Sequence, residues 1–279
     1  MTALRDWISL TKPRISLLNV ATTAAGLALA GGGPASLWAA TLVGTLLLVG
    51  SANTLNQYLE RDIDAKMART RGRPLPSGRV RPGTALALGV IQAAIAVPLV
   101  TFCANALAGL LGAIALVLYV LVYTPLKQKS IYALHVGAIP GAMPPLLGFT
   151  AATGQITAPA LALFGVVFFW QIPHFLALAI ALRDDYRAAG LKVMPNERGD
   201  EATRRAIVVY LVLQVLTTLA LVPLGVGGPA YLAGAALLGA AVVGGGMFGL
   251  WGGGERWARG LFLASIAYLP VLLGLMLIS

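Results

Sequence analysis

Long apolar segments alternate with short polar segments along the chain. Each apolar segment holds about twenty residues, which is enough for a helix to cross the roughly 30 Å hydrocarbon layer of a membrane. Clusters of glycine and proline separate the segments, as in GGGP near residues 31–34 and GVGGP at 225–229. The pattern predicts nine membrane-spanning helices, at about residues 14–31, 36–58, 82–101, 104–123, 131–151, 158–182, 204–225, 229–251 and 257–278.

The composition favours an all-α, polytopic membrane protein. The 279 residues are 58% hydrophobic and only 11% charged, whereas about 25% of residues are charged in a soluble domain. The polar segments are too short for a separate soluble domain, so we expect one integral-membrane domain over residues 1–279. Residues 1–14 lack the features of a removable signal or transit segment, and a bacterial plasma (inner) membrane is the simplest location. The single cysteine, Cys103, is expected to be a small buried hydrophobic residue.

The distribution of charge predicts the orientation of the chain. If the N-terminus is cytoplasmic, all 20 Lys and Arg residues and all ten Asp and Glu residues fall in the N-terminal arm and the connections on that same side. Short basic connections beside membrane spans are the positive-inside pattern. Membrane topology therefore explains the net charge of +10, and we expect no binding to nucleic acid. Because the outer connections are short and uncharged, function is expected at the cytoplasmic helix ends or in a cavity between the helices.

The densest charged stretch is NQYLERDIDAKMARTRGRPLPSGR, residues 56–79, at the end of the second predicted span. Asn56, Glu60 and Asp64 are four residues apart and therefore share one face of a helix. Three oxygen-bearing side chains at a membrane surface suit Mg²⁺, which takes few protein carboxylates and completes its shell with water and phosphate oxygens. A solvated helix end that carries topology charges is the alternative interpretation of this spacing.

Basic residues follow this acidic face and occur again after the fourth span. Arg69 and Arg73 provide guanidinium groups, which pair bidentately with phosphate. Lys127 ends the element Tyr123-Thr-Pro-Leu-Lys127. It could neutralise a phosphate group, but it could equally serve only as a topology charge.

A second acidic cluster, Asp184–Asp185 in LRDDYRAAGLKVMP, closes the sixth span. Adjacent like charges repel each other unless a cation lies between them. A polar helix end is the simpler alternative. Two acidic clusters from different helices on one membrane face nevertheless favour a bridging metal ion.

The sequence contains only two histidines. His174 follows Pro173 inside the sixth span, where polar side chains normally face the interior of a helix bundle. A haem ligand, a general base and an interhelical hydrogen bond are all compatible with this position. His135, near the start of the fifth span, is expected to be structural. The run GAIPGAMPPLLG at 137–148 predicts that the fifth span is a discontinuous helix lining a cavity.

Taken together, these motifs resemble those of the UbiA superfamily of intramembrane prenyltransferases. The opening stretch matches that family's first motif over more than twenty positions, at Asn56, Glu60, Ile63, Asp64, Met67, Arg69, Thr70, Arg73 and Gly78. The elements NQ-Y-x-E-x-D-x-D, YTPLK, WQ-x-PHF and DDYRAAG resemble in particular the branch that farnesylates protoheme IX. The resemblance implies nine helices around a cavity that opens to the cytoplasm and laterally to lipid.

The resemblance also implies roles for individual residues. Two acidic motifs hold Mg²⁺ on the diphosphate of a prenyl donor, and basic residues bind that diphosphate. By position, the metal-binding and catalytic candidates are Asn56, Glu60, Asp64, Asp184 and Asp185; the diphosphate-binding candidates are Arg69, Arg73, Tyr123 and Lys127; and the haem-binding candidate is His174. The second motif departs from the superfamily pattern, because its two aspartates are adjacent instead of four apart. Which of them binds metal is therefore open.

The reaction implied by the resemblance is Mg²⁺-dependent transfer of a farnesyl group from farnesyl diphosphate to a vinyl group of haem b. Addition of water would then give haem O, and haem A synthase or terminal oxidase assembly would lie downstream. One alternative is another prenyltransferase of the superfamily, acting on a quinone precursor or another tetrapyrrole. A second alternative is a transporter or lipid-binding membrane protein, because transporters also contain intramembrane polar residues and broken helices.

Overall fold

The computed structural model describes residues 4–278, and it is built of helices. Two helices are short, α1 (Leu4–Leu10) and α8 (Arg183–Ala188). The nine long helices are α2 (Pro13–Leu29), α3 (Ala35–Asp64), α4 (Pro82–Cys103), α5 (Ala106–Leu126), α6 (Ala133–Thr153), α7 (Ala158–Ala181), α9 (Met194–Leu219), α10 (Pro229–Phe248) and α11 (Glu255–Ile278). Each predicted span overlaps one of these nine helices, and the all-α prediction is confirmed.

Seven of the long helices in the described part of the chain are long and apolar enough to cross a membrane: α3, α4, α5, α7, α9, α10 and α11. The other two, α2 and α6, lie against each other in the interior of the bundle. Helix α2 has 17 residues, and α6 contains Pro140, Pro144 and Pro145. These two helices carry much of the wall of the central cavity.

The prediction that the fifth span is discontinuous is wrong. Helix α6 runs without a break from Ala133 to Thr153. Prolines are tolerated in buried membrane helices because neighbouring groups satisfy the backbone atoms that they free. Glycines at the contact between α2 and α6 serve close packing instead: a Cβ at Gly148 of α6 would overlap the carbonyl of Thr23, and one at Gly26 of α2 would overlap that of Pro145. Small residues thus let the backbones of α2 and α6 approach each other.

The charged connections lie together at one end of the bundle. The N-terminal arm and the four charged connections contact one another directly, three times between side chains and once between a side chain and a backbone carbonyl. These contacts are Arg79–Asp6 at 3.0 Å, Lys127–Glu60 at 2.8 Å, Arg198–Tyr132 Oη at 3.3 Å and Arg204–Gly253 carbonyl at 3.0 Å. The charge pattern of the sequence therefore corresponds to one polar end of the molecule.

The outer face of the bundle is apolar, as expected for a surface covered by lipid. Phe102 is 85% exposed near the end of α4, and Cys103 beside it is also exposed. The prediction that Cys103 is buried is therefore wrong. Cys103 is the last residue of α4, and its exposure shows that an apolar setting in the sequence can mean an outward-facing position as well as burial.

A cavity of about 1020 Å³ lies between the helices and reaches the polar end. Side chains from α2, α3, α5, α6, α7 and α11 line it. Near the polar end the wall is charged, and deeper between the helices it becomes apolar and aromatic. The fold therefore joins the first acidic motif to the region of His174 through one continuous space.

Candidate active site

The last two turns of α3 form the acidic wall of the cavity. Asn56, Glu60 and Asp64 all line it, and their exposed fractions are only 1%, 7% and 1%. Their spacing of four residues places them on one helix face, as the sequence predicts. Burial of two carboxylates is costly unless each one has a charged partner. The surrounding side chains meet that requirement.

Each carboxylate is paired with a cation from another part of the chain. Lys127 Nζ donates to Glu60 Oε1 at 2.8 Å, and Arg73 Nη1 donates to Asp64 Oδ2 at 2.6 Å. Asp64 also anchors the loop after α3, because Thr70 Oγ1 donates to its backbone carbonyl at 2.8 Å. These pairs bring the predicted metal-binding and diphosphate-binding residues into direct contact.

Lys12 completes this cluster and was not among the residues selected from the sequence. Its Nζ donates to Asn56 Oδ1 at 3.1 Å. Lys12 has a left-handed backbone with φ of 48°, a conformation that is uncommon outside glycine and that clusters at functional sites. Burial and the nearby cations Arg73 and Lys127 lower the pKa of Lys12 to about 7. The signal in the sequence was a lone lysine directly before the proline that begins α2.

A π-helical turn in α5 carries two tyrosines of the polar end of the cavity. Residues Leu118–Tyr123 of α5 form this turn, a feature that often marks functional sites because it adds a residue to the helix and redirects side chains. Tyr119 and Tyr123 both line the cavity, with their ring centroids 5.2 Å apart. Lys127 Nζ lies 4.6 Å from the ring centroid of Tyr123. Tyr123 and Lys127, which the sequence places four residues apart in one element, are thus in contact in the structure.

The second acidic motif contributes a different residue from the two that were predicted. Asp184 is 87% exposed at its side chain and pairs with Arg187 at 3.4 Å. Within residues 4–278, neither Asp184 nor Asp185 is among the side chains that line the cavity, whereas Tyr186 is. Tyr186 packs beside Met67, and burial raises its pKa. A metal-binding role for the two aspartates stays a prediction.

Arg69 reaches the cavity from the loop after α3. Its side chain is exposed and lines the polar opening. No ion pair holds it among the residues that the structure describes. It therefore offers a guanidinium group that is not already committed to a carboxylate.

The chemistry of this wall fits Mg²⁺. No group of three His, Cys, Asp or Glu side chains in the described residues could hold a metal ion by itself. Mg²⁺ needs only one or two protein carboxylates when phosphate oxygens and water complete its shell. Glu60 and Asp64 supply those carboxylates, and Asn56 supplies an amide oxygen on the same face.

The other end of the cavity is aromatic and centred on His174 in α7. The imidazole stacks on Trp170 with a centroid distance of 4.9 Å, and Phe262 of α11 lies 4.5 Å from it. His174 Nδ1 is 2.6 Å from Ser265 Oγ, and Trp170 Nε1 donates to the carbonyl of Ser265 at 2.8 Å. The ring lines the cavity although only 9% of His174 is exposed.

His135 is bonded differently from His174. Its Nε2 is 2.7 Å from Tyr210 Oη of α9, so the pair links α6 to α9. Its Nδ1 is buried without a hydrogen-bond partner among the described residues. His135 thus joins two helices and is also part of the cavity wall, and its structural role stays a prediction.

Comparison with known proteins places these features in one family. The model of the UbiA prenyltransferase family matches residues 19–273. The chain belongs to the UbiA prenyltransferase family. A relative from Sorangium cellulosum is 53% identical over 88% of both chains, and one from Anaeromyxobacter sp. is 52% identical over 96% of this chain and 91% of its own. Both relatives are named protoheme IX farnesyltransferase.

Solved structures show the same UbiA fold. A structure of digeranylgeranylglyceryl phosphate synthase has a TM-score of 0.84 at 16% identity, and it covers 100% of this chain and 98% of its own. A UbiA homologue from Archaeoglobus fulgidus, bound to DMAPP and Mg²⁺, has a TM-score of 0.66 at 14% identity, with 98% and 100% covered. The family resemblance predicted from the sequence motifs is confirmed, and so is the prediction of a multi-pass membrane prenyltransferase.

Proposed function

We propose that this UbiA family member transfers a farnesyl group from farnesyl diphosphate to a vinyl group of haem b, and that water adds to give haem O. The observation that carries the proposal is the single cavity that joins a buried carboxylate–cation cluster to an aromatic wall with a histidine. Two relatives that are 53% and 52% identical to this chain are named protoheme IX farnesyltransferase, which supports the choice of donor and acceptor. Quinone precursors and other tetrapyrroles are the alternative acceptors.

The polar end would bind the diphosphate of the donor. Asn56, Glu60 and Asp64 would hold Mg²⁺, and the bound ion would neutralise negative charge that develops as the diphosphate leaves. Mg²⁺ bound to the A. fulgidus homologue supports this choice of metal. Asp184 and Asp185 would join them only if α8 turned its carboxylates towards the cavity.

The cations of the cluster would change partners when the donor binds. Lys127 and Arg73 now neutralise Glu60 and Asp64, at 2.8 and 2.6 Å. A metal ion on the carboxylates would release both cations for the diphosphate oxygens, and Arg69 would add a third. Fixed positive groups around a leaving group stabilise the charge of the transition state without later reorganisation. The hydroxyl of Tyr123, close to Lys127, would orient the same phosphate.

Bond changes at the boundary between the two ends complete the reaction. The C1–O bond of the donor breaks and leaves an allylic cation, which the terminal vinyl carbon of haem attacks to form the new C–C bond. The positive charge then lies on the vinyl carbon next to the porphyrin, where a water oxygen adds and one proton is released. An apolar wall that excludes water protects the first cation from hydrolysis. Pro144, Leu147 and Leu269 belong to that wall.

The location of the site follows from the charge pattern. We propose that the polar end of the bundle, including the N-terminus, faces the cytoplasm of a bacterium whose inner membrane holds the protein. Basic connections are retained on that side of a membrane. Haem A synthase or a terminal oxidase would then use the product.

Incubation of the purified protein with farnesyl diphosphate, haem b and Mg²⁺ tests the proposal. We expect mass spectrometry of the extracted haems to show haem O, and a chelator to abolish its formation until excess Mg²⁺ is added. Product from a quinone precursor but not from haem would identify the other prenyltransferase class. No product from any acceptor, with or without metal, would favour a transporter or a lipid-binding protein.

A further inference from the structure

Two hydrogen bonds determine which nitrogen of His174 carries the proton. Ser265 Oγ donates its only hydrogen to the carbonyl of Phe262 at 2.6 Å. The same Oγ lies 2.6 Å from His174 Nδ1 and must therefore accept there. The hydrogen of a neutral imidazole is thus on Nδ1, and the lone pair is on Nε2. Ser265 is 7% exposed, so water does not compete freely for either bond.

Aromatic contacts also fix the plane of this ring. Trp170 stacks on the imidazole at an interplanar angle of 24°, and Phe262 lies against it at 32°. The indole of Trp170 is itself tied to the backbone of Ser265 at 2.8 Å. Within the described residues, Nε2 of His174 has no hydrogen-bond partner, and the ring belongs to the cavity wall. The arrangement presents an unprotonated nitrogen at a fixed place and angle.

We propose that His174 Nε2 is an axial ligand of the haem iron and that Ser265 is the residue that positions it. This inference rests on the proposed function, because it takes haem as the acceptor. Neutral imidazole is a common ligand of iron, and the partner of its other nitrogen fixes the tautomer and the ring orientation. Coordination of the iron would hold the porphyrin at one distance from the carboxylates of α3, so that a vinyl edge meets C1 of the donor.

His135 provides a matched comparison within the same cavity. Its Nε2 is engaged by Tyr210, and its Nδ1 is buried. Neither nitrogen presents a lone pair to the cavity, although the residue is part of the lining. Replacement of this histidine should therefore leave the coordination of iron unchanged.

Parallel titrations of the detergent-solubilised full chain with haem b and with iron-free protoporphyrin IX test the proposal. The two ligands share the porphyrin ring, its vinyl groups and its carboxylates, and they differ in the iron. We expect His174→Ala to weaken binding of haem b and to shift its Soret band, with binding of protoporphyrin IX unchanged. Ser265→Ala should keep the iron ligand but weaken haem binding roughly tenfold, as is typical when the partner of a ligating histidine is lost. Added imidazole should restore the Soret band in His174→Ala and not alter the band in His135→Ala.

The outcomes separate this inference from the proposed function. An unchanged haem affinity and Soret band in His174→Ala would overturn the axial ligand, even if the wild-type protein makes haem O. An equal loss for both porphyrins without rescue by imidazole would also overturn it, because the histidine would then act through packing. If Ser265→Ala binds both porphyrins as the wild type does, its positioning role fails. Absence of haem binding to the wild-type protein would instead remove the proposed acceptor.

Discussion

The two ends of the cavity, which we propose bind the prenyl donor and the haem acceptor, are built from opposite kinds of contact. At the donor end, Glu60 and Asp64 are each held by a cation, at 2.8 and 2.6 Å. At the acceptor end, His174 is held by a neutral hydrogen bond and by two aromatic faces. A charge pair can exchange its partners when a metal ion and a diphosphate arrive. The stacked and hydrogen-bonded ring of His174, by contrast, is held in one position and orientation.

In the proposed reaction, this difference lets one cavity hold two unlike substrates. The donor carries several negative charges and needs groups that can be redistributed around it. The acceptor is a flat, largely apolar ring and needs a fixed orientation at low entropic cost. We therefore expect substitutions at the donor end to change turnover without changing haem affinity. Substitutions at the acceptor end should change haem affinity without changing that for farnesyl diphosphate.

Asp64→Asn should have the largest effect. The substitution keeps the shape of a side chain that is 1% exposed but removes the charge that would hold the metal. We expect kcat to fall by about 10²–10³ or more, the range seen when one group that stabilises transition-state charge is lost. Glu60→Gln should behave similarly. Initial rates of haem O formation at saturating Mg²⁺ measure the loss.

Asp62→Asn is the matched control for Asp64→Asn. Asp62 lies on the same turn of α3, but its side chain is 83% exposed and points away from the cavity cluster. Its substitution should leave kcat and haem affinity unchanged. Haem titration and thermal unfolding of Asp64→Asn should show a folded protein that still binds haem. Full activity of Asp64→Asn would remove Asp64 from the metal site.

Lys127→Met should have the next largest effect. The substitution leaves Glu60 buried without its cation and removes a positive group from the proposed diphosphate site. We expect kcat/KM for farnesyl diphosphate to fall by about 10², consistent with the loss of one fixed charge in a water-poor site. Lys129→Met, an exposed neighbour with no ion pair among the described residues, is the control. Equal losses in the two variants would mean that Lys127 serves only the topology of the chain.

The sequence predicts the fold well, and it predicts that three polar residues of α3 share one face that lines the cavity. The alternation of apolar and polar segments locates all nine long helices, and seven of them in the described residues are long and apolar enough to span a membrane. The spacing of Asn56, Glu60 and Asp64 predicts their shared face, because four residues are close to one helical turn. These features depend on local periodicity, which one sequence displays directly. The resemblance to the UbiA superfamily adds roles for the individual side chains, and these roles stay predictions.

Features that depend on contacts between distant segments are not visible in the same way. Lys12 is 44 residues from Asn56, and Ser265 is 91 residues from His174. Neither Lys12 nor Ser265 is unusual in the sequence. Lys12 is a lysine in a polar N-terminal arm, and Ser265 is a serine in an apolar helix. The continuity of α6 is another such feature: its prolines predict a break, but the helix is continuous where it packs against α2. The acceptor end is therefore largely a product of the tertiary fold.

Trp170→Phe should have a smaller effect, confined to the acceptor end. The ring that stacks on His174 remains, but the hydrogen bond to the carbonyl of Ser265 at 2.8 Å is lost. A buried hydrogen bond contributes about 1 kcal/mol, so we expect the Kd of haem b to rise roughly fivefold. The KM for farnesyl diphosphate should not change. Trp257→Phe, which removes a similar bond to Gly245 at 2.8 Å near the end of the same bundle, should leave both constants unchanged.

The smallest effects are expected for Asp184→Asn and Asp185→Asn. Their losses in kcat, set against that of Asp64→Asn, compare the contribution of the second acidic motif with that of the first. The carboxyl group of Asp184 is 87% exposed, and Asp185 is only half-buried. We expect Asp184→Asn to change kcat by about twofold at most, the usual size for an exposed substitution, and Asp185→Asn to cost slightly more but still less than Trp170→Phe. The same steady-state assay with varied Mg²⁺ measures this order. A loss in Asp184→Asn as large as that in Asp64→Asn would show that α8 turns its carboxylates inwards when the donor binds. The donor end would then be closed by movement of this short helix, in contrast to the fixed aromatic wall around His174.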